Sequence, residues 1–201
     1  MPSDLPDPTE RNYLTALVPL LTQAHIALGG SMLTLFTNKR EMENCFDQVY
    51  DQLKPYDLRL VCQKKGVSVK GLRDEFVADK TLSLFALKSF WEGFDAPGST
   101  LRGVIIPKLP FTKPTDPLSC ERGARDADAW RHYVLPAAVI EMKQAAGRLL
   151  RTANDSGILI LADHRLITKS YGKTFLASMP SKNIRIMTCA EIVADIARNR
   201  E

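Results

Sequence analysis

One stretch of this chain carries residues whose types and spacing suit phosphate chemistry. In EMKQAAGRLLRTAND, Gln144, Arg148 and Arg151 follow one another at steps of four and three, which on a helix brings them toward one face. Two guanidiniums held that way can grip a polyphosphate and stabilise the charge that develops in phosphoryl transfer. The same residues also read as a solvated basic face. Gly147, beside Arg148, makes room for a close approach at some cost in helix propensity. A second stretch, KSFWEGFDAPG, sets Phe90, Trp91 and Phe94 among Glu92 and Asp95 and punctuates them with Gly93 and Gly98. Aromatics in such a turned polar loop read as core anchors or as a binding surface. Its two acids suit hydrogen bonding to a ribose or to a neighbouring domain, and repel phosphate unless a metal or Arg intervenes.

The elements that must position these residues alternate between β and α. Leu14, Leu17, Val18, Leu21 and Leu28 recur at helical spacing between about Glu10 and Leu28, and Gly29-Gly30 supplies a stop. Further helices are predicted over Lys39 to Leu53, with Met42, Cys45, Phe46, Val49 and Leu53 on one face, and over about Val69 to Ala78. Another opens at Pro136 and runs to about Thr152, and a last one spans Glu191 to Asn199. Strands are predicted at Met32 to Thr37, Leu58 to Gln63, Leu82 to Leu87, Leu101 to Pro107, Ile158 to Ala162 and Asn183 to Thr188. Five or six parallel strands with helices on both faces follow, in one domain over residues 1–201. A polar elaboration at about 111–134 is too long for an ordinary connection and sits at one end of the sheet.

In open parallel sheets the ligand-facing loops lie beyond the strand C-termini, near the switch in strand order. Four segments qualify: Thr37 to Arg40, Gln63 to Gly66, Lys88 to Gly98 and Pro107 to Pro117. Lys39, Arg40, Lys64, Lys65, Lys88 and Lys108 cluster there and can build a local positive surface despite a net charge of only +4. Charge alone permits an anionic partner without demanding one.

Several other chemistries lose support. Cys45, Cys62, Cys120 and Cys189 lie far apart without a CxxC pair, which argues against a zinc site or a disulfide lattice and for a reducing compartment. Gly172-Lys173-Thr174 resembles the end of a phosphate loop, but the position that needs glycine holds Ile167. Asp163 ends an apolar run and precedes His164 and Arg165, so ordering a loop or pairing with Arg165 is its expected role. His25, His132 and His164 read as hydrogen-bonding or surface residues. The polar, Pro-rich lead and the lack of 18 uninterrupted apolar residues predict a soluble, unexported protein that does not enter a membrane.

Read in order, LFTNKREMENCFDQVYDQL, LFALKSFWEGFDAPGSTLRGVIIPKLPFTKPTDPL and LPAAVIEMKQAAGRLLRTANDSGILILADHRLITKSYGKTFLASMP closely resemble the C-terminal motor domain of DinG-type helicases, relatives of the XPD group in superfamily 2. The resemblance covers nearly the whole chain. It implies a three-layer α/β fold of the RecA-like, P-loop NTPase kind that lacks its own P-loop. Such a domain joins an N-terminal helicase motor domain in cis, forming a cleft for ATP and Mg²⁺ and a track for single-stranded DNA. The complete enzyme would be monomeric, cytoplasmic and bacterial, stepping 5′ to 3′ in DNA repair.

The resemblance also implies roles. Thr37, Asn38 and Arg40 of LFTNKR face the DNA path, and Gln63 occupies a family glutamine position, with Lys64 and Lys65 added before Gly66. Ser89, Trp91, Glu92, Gly93 and Asp95 form the loop that couples nucleotide to DNA, Trp91 either stacking a base or packing the loop. Gln144 and Gly147 belong to the cleft, Arg148 and Arg151 to the ATP phosphates, with Arg151 as the arginine finger. The phosphate loop, the magnesium site and any iron-sulfur cysteines belong to the missing half, so the isolated chain is expected to be nearly inactive. Two rivals stand beside this reading: a binding-only domain of the same fold, and a small-molecule transferase that lacks both a nucleotide fingerprint and a nucleophile-base pair.

Overall fold

The computed structural model describes residues 1–64, 67–87, 90, 100–149, 156–181 and 183–199. Its centre is β1 (Met32–Phe36), an MLTLF run that is buried at every position, as a strand covered on both faces must be. β2 (Arg59–Cys62), β3 (Leu82–Leu87), β4 (Gly103–Ile106) and β5 (Ile158–Leu161) join it in one five-stranded sheet of order β2-β3-β1-β4-β5. All four pairings are parallel. Because side chains alternate across a strand, β1 sends Leu33 and Leu35 into one apolar layer and Met32 and Phe36 into the other.

Helices cover both layers. α1 (Tyr13–Leu28) and α2 (Lys39–Leu53) pack with Met32 and Phe36. α3 (Val69–Ala78) packs on the opposite face. Local chemistry places their ends: Asn38 caps α2, its side-chain oxygen accepting the Arg40 N–H at 2.9 Å, and Ser68 accepts the Gly71 N–H at 3.3 Å to cap α3. α1 stops at Gly29, in the left-handed region with φ 76°; Gly30 follows at φ 96°, where a Cβ would come within 2.4 Å of the Lys80 carbonyl oxygen.

Beyond β4 the chain forms α4 (Pro117–Arg125), capped by Asp116, then a π-helical turn over Trp130–Val134 that runs directly into α5 (Leu135–Leu149). The helix thus starts one residue before Pro136. Residues 150–152, its expected end, lie outside the described residues. After β5 come two short helices that periodicity did not signal, α6 (Arg165–Thr168) and α7 (Gly172–Ser178), then α8 (Cys189–Arg198), opened by a reciprocal cap between Thr188 and Glu191. A Cβ on Gly172 would lie 2.0 Å from the Leu166 carbonyl oxygen, so close packing, and no phosphate loop, accounts for this glycine.

The expected strand at Asn183 to Thr188 does not join the sheet. Only an isolated bridge between Pro2 and Met187 forms there. Its backbone groups go to the start of the chain: the Ser3 N–H donates to the Met187 carbonyl at 2.8 Å, and the Met187 N–H donates to that of Met1 at 3.0 Å.

Candidate functional site

Parallel pairing brings the C-terminal ends of all five strands to one rim, so the residues after them become neighbours. Thr37 and Asn38 follow β1 and are partly exposed, and Arg40, in the first turn of α2, is exposed. Asn38 spends its side-chain oxygen on the helix cap. Gln63 follows β2. Its backbone N–H donates to the Phe85 carbonyl at 2.9 Å, and its side-chain Oε1 accepts the Leu87 N–H at 2.8 Å. It therefore extends the ladder and fixes the point where the chain leaves β3. Lys64 is exposed, its Nζ 6.0 Å from the Phe46 ring centroid.

The positive surface expected at this rim is partly neutralised. Lys108 pairs with Glu41 at 2.8 Å while resting over the Tyr13 ring, and Lys39 pairs with Glu43 at 3.5 Å. Lys65, Lys88, Ser89, Trp91, Glu92, Gly93 and Asp95 lie outside the described residues.

The helix that carries Gln144 behaves differently. Met142, Ala145, Ala146 and Leu149 are its buried face, while Ile140 and Gln144 are exposed on the other side. A Cβ on Gly147 would meet nothing within 4 Å. The helix ends at the opposite rim: a Cβ on Gly157, just before β5, would lie 2.5 Å from Leu149 Cδ1 and 3.0 Å from the carbonyl oxygen of Arg102, just before β4. This is what a crossover between parallel strands requires, since the helix must return the chain to the strand N-termini. The described end of α5 thus lies at the rim opposite Thr37 and Gln63. Position 148 lies on the helix four residues after Gln144, but its side chain is outside the described atoms, and Arg151 is outside the described residues.

Asp163 is buried and fully engaged. It accepts the Leu109 N–H at 2.7 Å, the Arg165 N–H at 3.0 Å, and the Arg165 guanidinium at 2.9 and 2.6 Å through Nε and Nη2. This is the loop-ordering, Arg165-pairing role expected of it. The thiols are equally structural: burial pushes Cys45 up to about 12 and Cys62 to about 11, and burial with the neighbouring Asp4 pushes Cys189 to about 12. All four cysteines are free. Among the described residues no group of three or more His, Cys, Asp or Glu could hold a metal ion, and no helix is long and apolar enough to cross a membrane.

The sequence reading missed an aromatic cluster at the C-terminal rim. Phe111, Trp130 and Tyr171 meet with ring centroids 5.3 to 5.9 Å apart. The Arg165 guanidinium lies 5.6 Å from the Phe111 centroid. These rings line a cavity of about 870 Å³ that Thr37 and Lys108 also border. The signal was present in the aromatics of the 111–134 elaboration and in Tyr171, yet nothing local says that they converge.

The family model described as "Helicase C-terminal domain" matches residues 21–182. Over 188 residues the chain is 36% identical to the ATP-dependent DNA helicase YoaA of Haemophilus influenzae, an alignment that covers 91% of this chain and 29% of that protein. It is 33% identical over 175 residues to the 3′-5′ exonuclease DinG of Bacillus subtilis, covering 85% of this chain and 19% of that protein. The chain thus spans less than a third of the length of these curated relatives. Among solved structures, an XPD helicase superposes with a TM-score of 0.71 at 18% identity, over 93% of this chain and 34% of that one, which establishes the common RecA-like fold. The chain belongs to the helicase C-terminal domain family.

Proposed function

We propose that this chain is the second motor domain of an ATP-dependent DNA helicase that steps 5′ to 3′ on single strands. The observation that carries this reading is the outward face of α5. Gln144 is exposed there, Gly147 leaves open space, and Ile140 is a large apolar side chain 56% exposed to water. A preceding motor half would cover such a face, bringing a nucleotide held by that half against QAAGRLLR. In this reading Gln144 hydrogen-bonds across the cleft, Gly147 permits close approach, and Arg148 and Arg151 meet the ATP phosphates, with Arg151 as the finger. Glu92, Gly93 and Asp95 serve the nucleotide side of the coupling loop. Mg²⁺ and any iron-sulfur cluster would be held by the preceding half; no step performed by this chain's residues requires that it ligate either.

The other rim serves the strand. Thr37, Asn38, Arg40, Gln63, Lys64, Ser89 and Trp91 are its proposed contacts, made chiefly to the phosphate backbone and so with little sequence preference. In this reading the loop bearing Ser89, Trp91, Glu92, Gly93 and Asp95 couples nucleotide state to DNA contact. The isolated chain, lacking a phosphate loop, should hydrolyse almost no ATP.

The deciding experiment joins this chain to its preceding motor half and measures DNA-stimulated ATP hydrolysis with and without Arg151→Ala. Turnover should fall by on the order of 10³ to 10⁵ while nucleotide and DNA binding persist; unchanged turnover removes Arg151 from the finger role.

A further inference from the structure

We propose that the cavity between Phe111, Trp130 and Tyr171 seats a nucleobase of the bound single strand, a contact additional to the rim residues named above. This inference rests on the strand-binding reading of that rim and gives it a specific stacking site.

Topology is the first argument. β1 and β4 are adjacent, yet α2 leaves β1 toward one face of the sheet and α5 follows β4 onto the other. The crevice between two such strands is where open α/β sheets take ligands, and Thr37 after β1 and Lys108 after β4 both border the cavity.

The lining chemistry names the occupant. Trp130 is 41% exposed yet packs against Phe111 and Tyr171, so an accessible aromatic surface is held by its neighbours. It begins the π-helical turn Trp130–Val134, a distortion found frequently at functional sites. The carboxylates nearby are matched by cations: Asp163 holds Arg165 and Glu41 holds Lys108. No described lining residue of the cavity is itself a carboxylate, and Lys113, exposed on that lining, adds attraction for a phosphodiester. Aromatic faces beside a backbone-attracting rim are how proteins hold single strands without reading their sequence.

The test compares a thymidine oligomer with an abasic oligomer of equal length and charge, binding each to the 201-residue chain and to Trp130→Leu, which keeps apolar packing but has no π face. The variant should bind the thymidine oligomer about tenfold more weakly and the abasic one equally well, with Trp130→Phe restoring most of the difference. Equal weakening toward both oligomers, or none toward either, overturns the seat while leaving backbone binding intact. A chain that binds neither oligomer overturns the strand-binding reading itself. Should Trp130→Leu fail to fold, photo-crosslinking of a 5-iodouracil oligomer to the unaltered chain decides: adducts at Trp130 or Tyr171 support the seat, and adducts confined to other residues overturn it.

Discussion

The side chain of Gln63 terminates a strand that is not its own: its Oε1 accepts the backbone N–H of Leu87 at 2.8 Å. Leu87 is the last residue of β3, so this bond fixes the point at which the chain leaves that strand. A residue that the family resemblance assigns to the DNA path thereby also has a structural role at the end of β3.

Removing that acceptor takes the Gln63 Oε1 away from the Leu87 N–H. Gln63→Ala should cost about 1 kcal/mol of stability, read as a lower urea midpoint, whereas Gln63→Glu, which keeps an acceptor oxygen, should recover most of it. Equal losses in both variants would mean that the carbonyl is not what matters.

His25 makes stability depend on pH. It is fully buried on α1, its Nδ1 hydrogen-bonds the Leu21 carbonyl at 2.5 Å, and its Nε2 has no partner among the described residues. Burial, opposed weakly by that bond, lowers its pKa from 6.5 to about 4. The unfolded chain therefore takes up the proton first as pH falls. The contribution of neutral His25 is complete above about pH 6.5 and is lost progressively down to pH 4, amounting to about 3 kcal/mol. Urea midpoints measured across this window should fall less steeply in His25→Leu than in the parent. Parallel slopes would refute the assignment.

Gly147→Ala should separate stability from function. The added methyl group meets open space and improves helix propensity, so the 201-residue chain should gain about 0.5 to 1 kcal/mol. Joined to its motor half, the same variant should hydrolyse ATP more slowly, because in the proposed reading the methyl group stands on the face that closes over the nucleotide. Faster or equal turnover would argue that this face meets nothing.

Much of the fold was legible because its determinants are local. The observed α2 matches the predicted Lys39 to Leu53 at both ends, since Asn38 supplies the cap and Pro55 follows the last turn. The apolar runs that form β1, β3 and β5 have no polar face to offer water and read as buried strands from composition alone. Asn183 to Thr188 instead sets Ile184 and Ile186 among polar residues, as a half-buried strand does, but a strand also needs a partner, and its backbone found residues 1–3.

The sequence by itself determined the family, the alternation of strands and helices, and the periodicity that puts Gln144 and Arg148 one turn apart. Tertiary structure alone decided that the end of α5 lies at the rim opposite Thr37 and Gln63, that β1 sits between β3 and β4, and that Phe111, Trp130 and Tyr171 share one cavity. Helix caps and apolar runs are written in neighbouring residues, whereas strand order and convergent side chains depend on long-range hydrogen bonds and packing that local patterns do not encode.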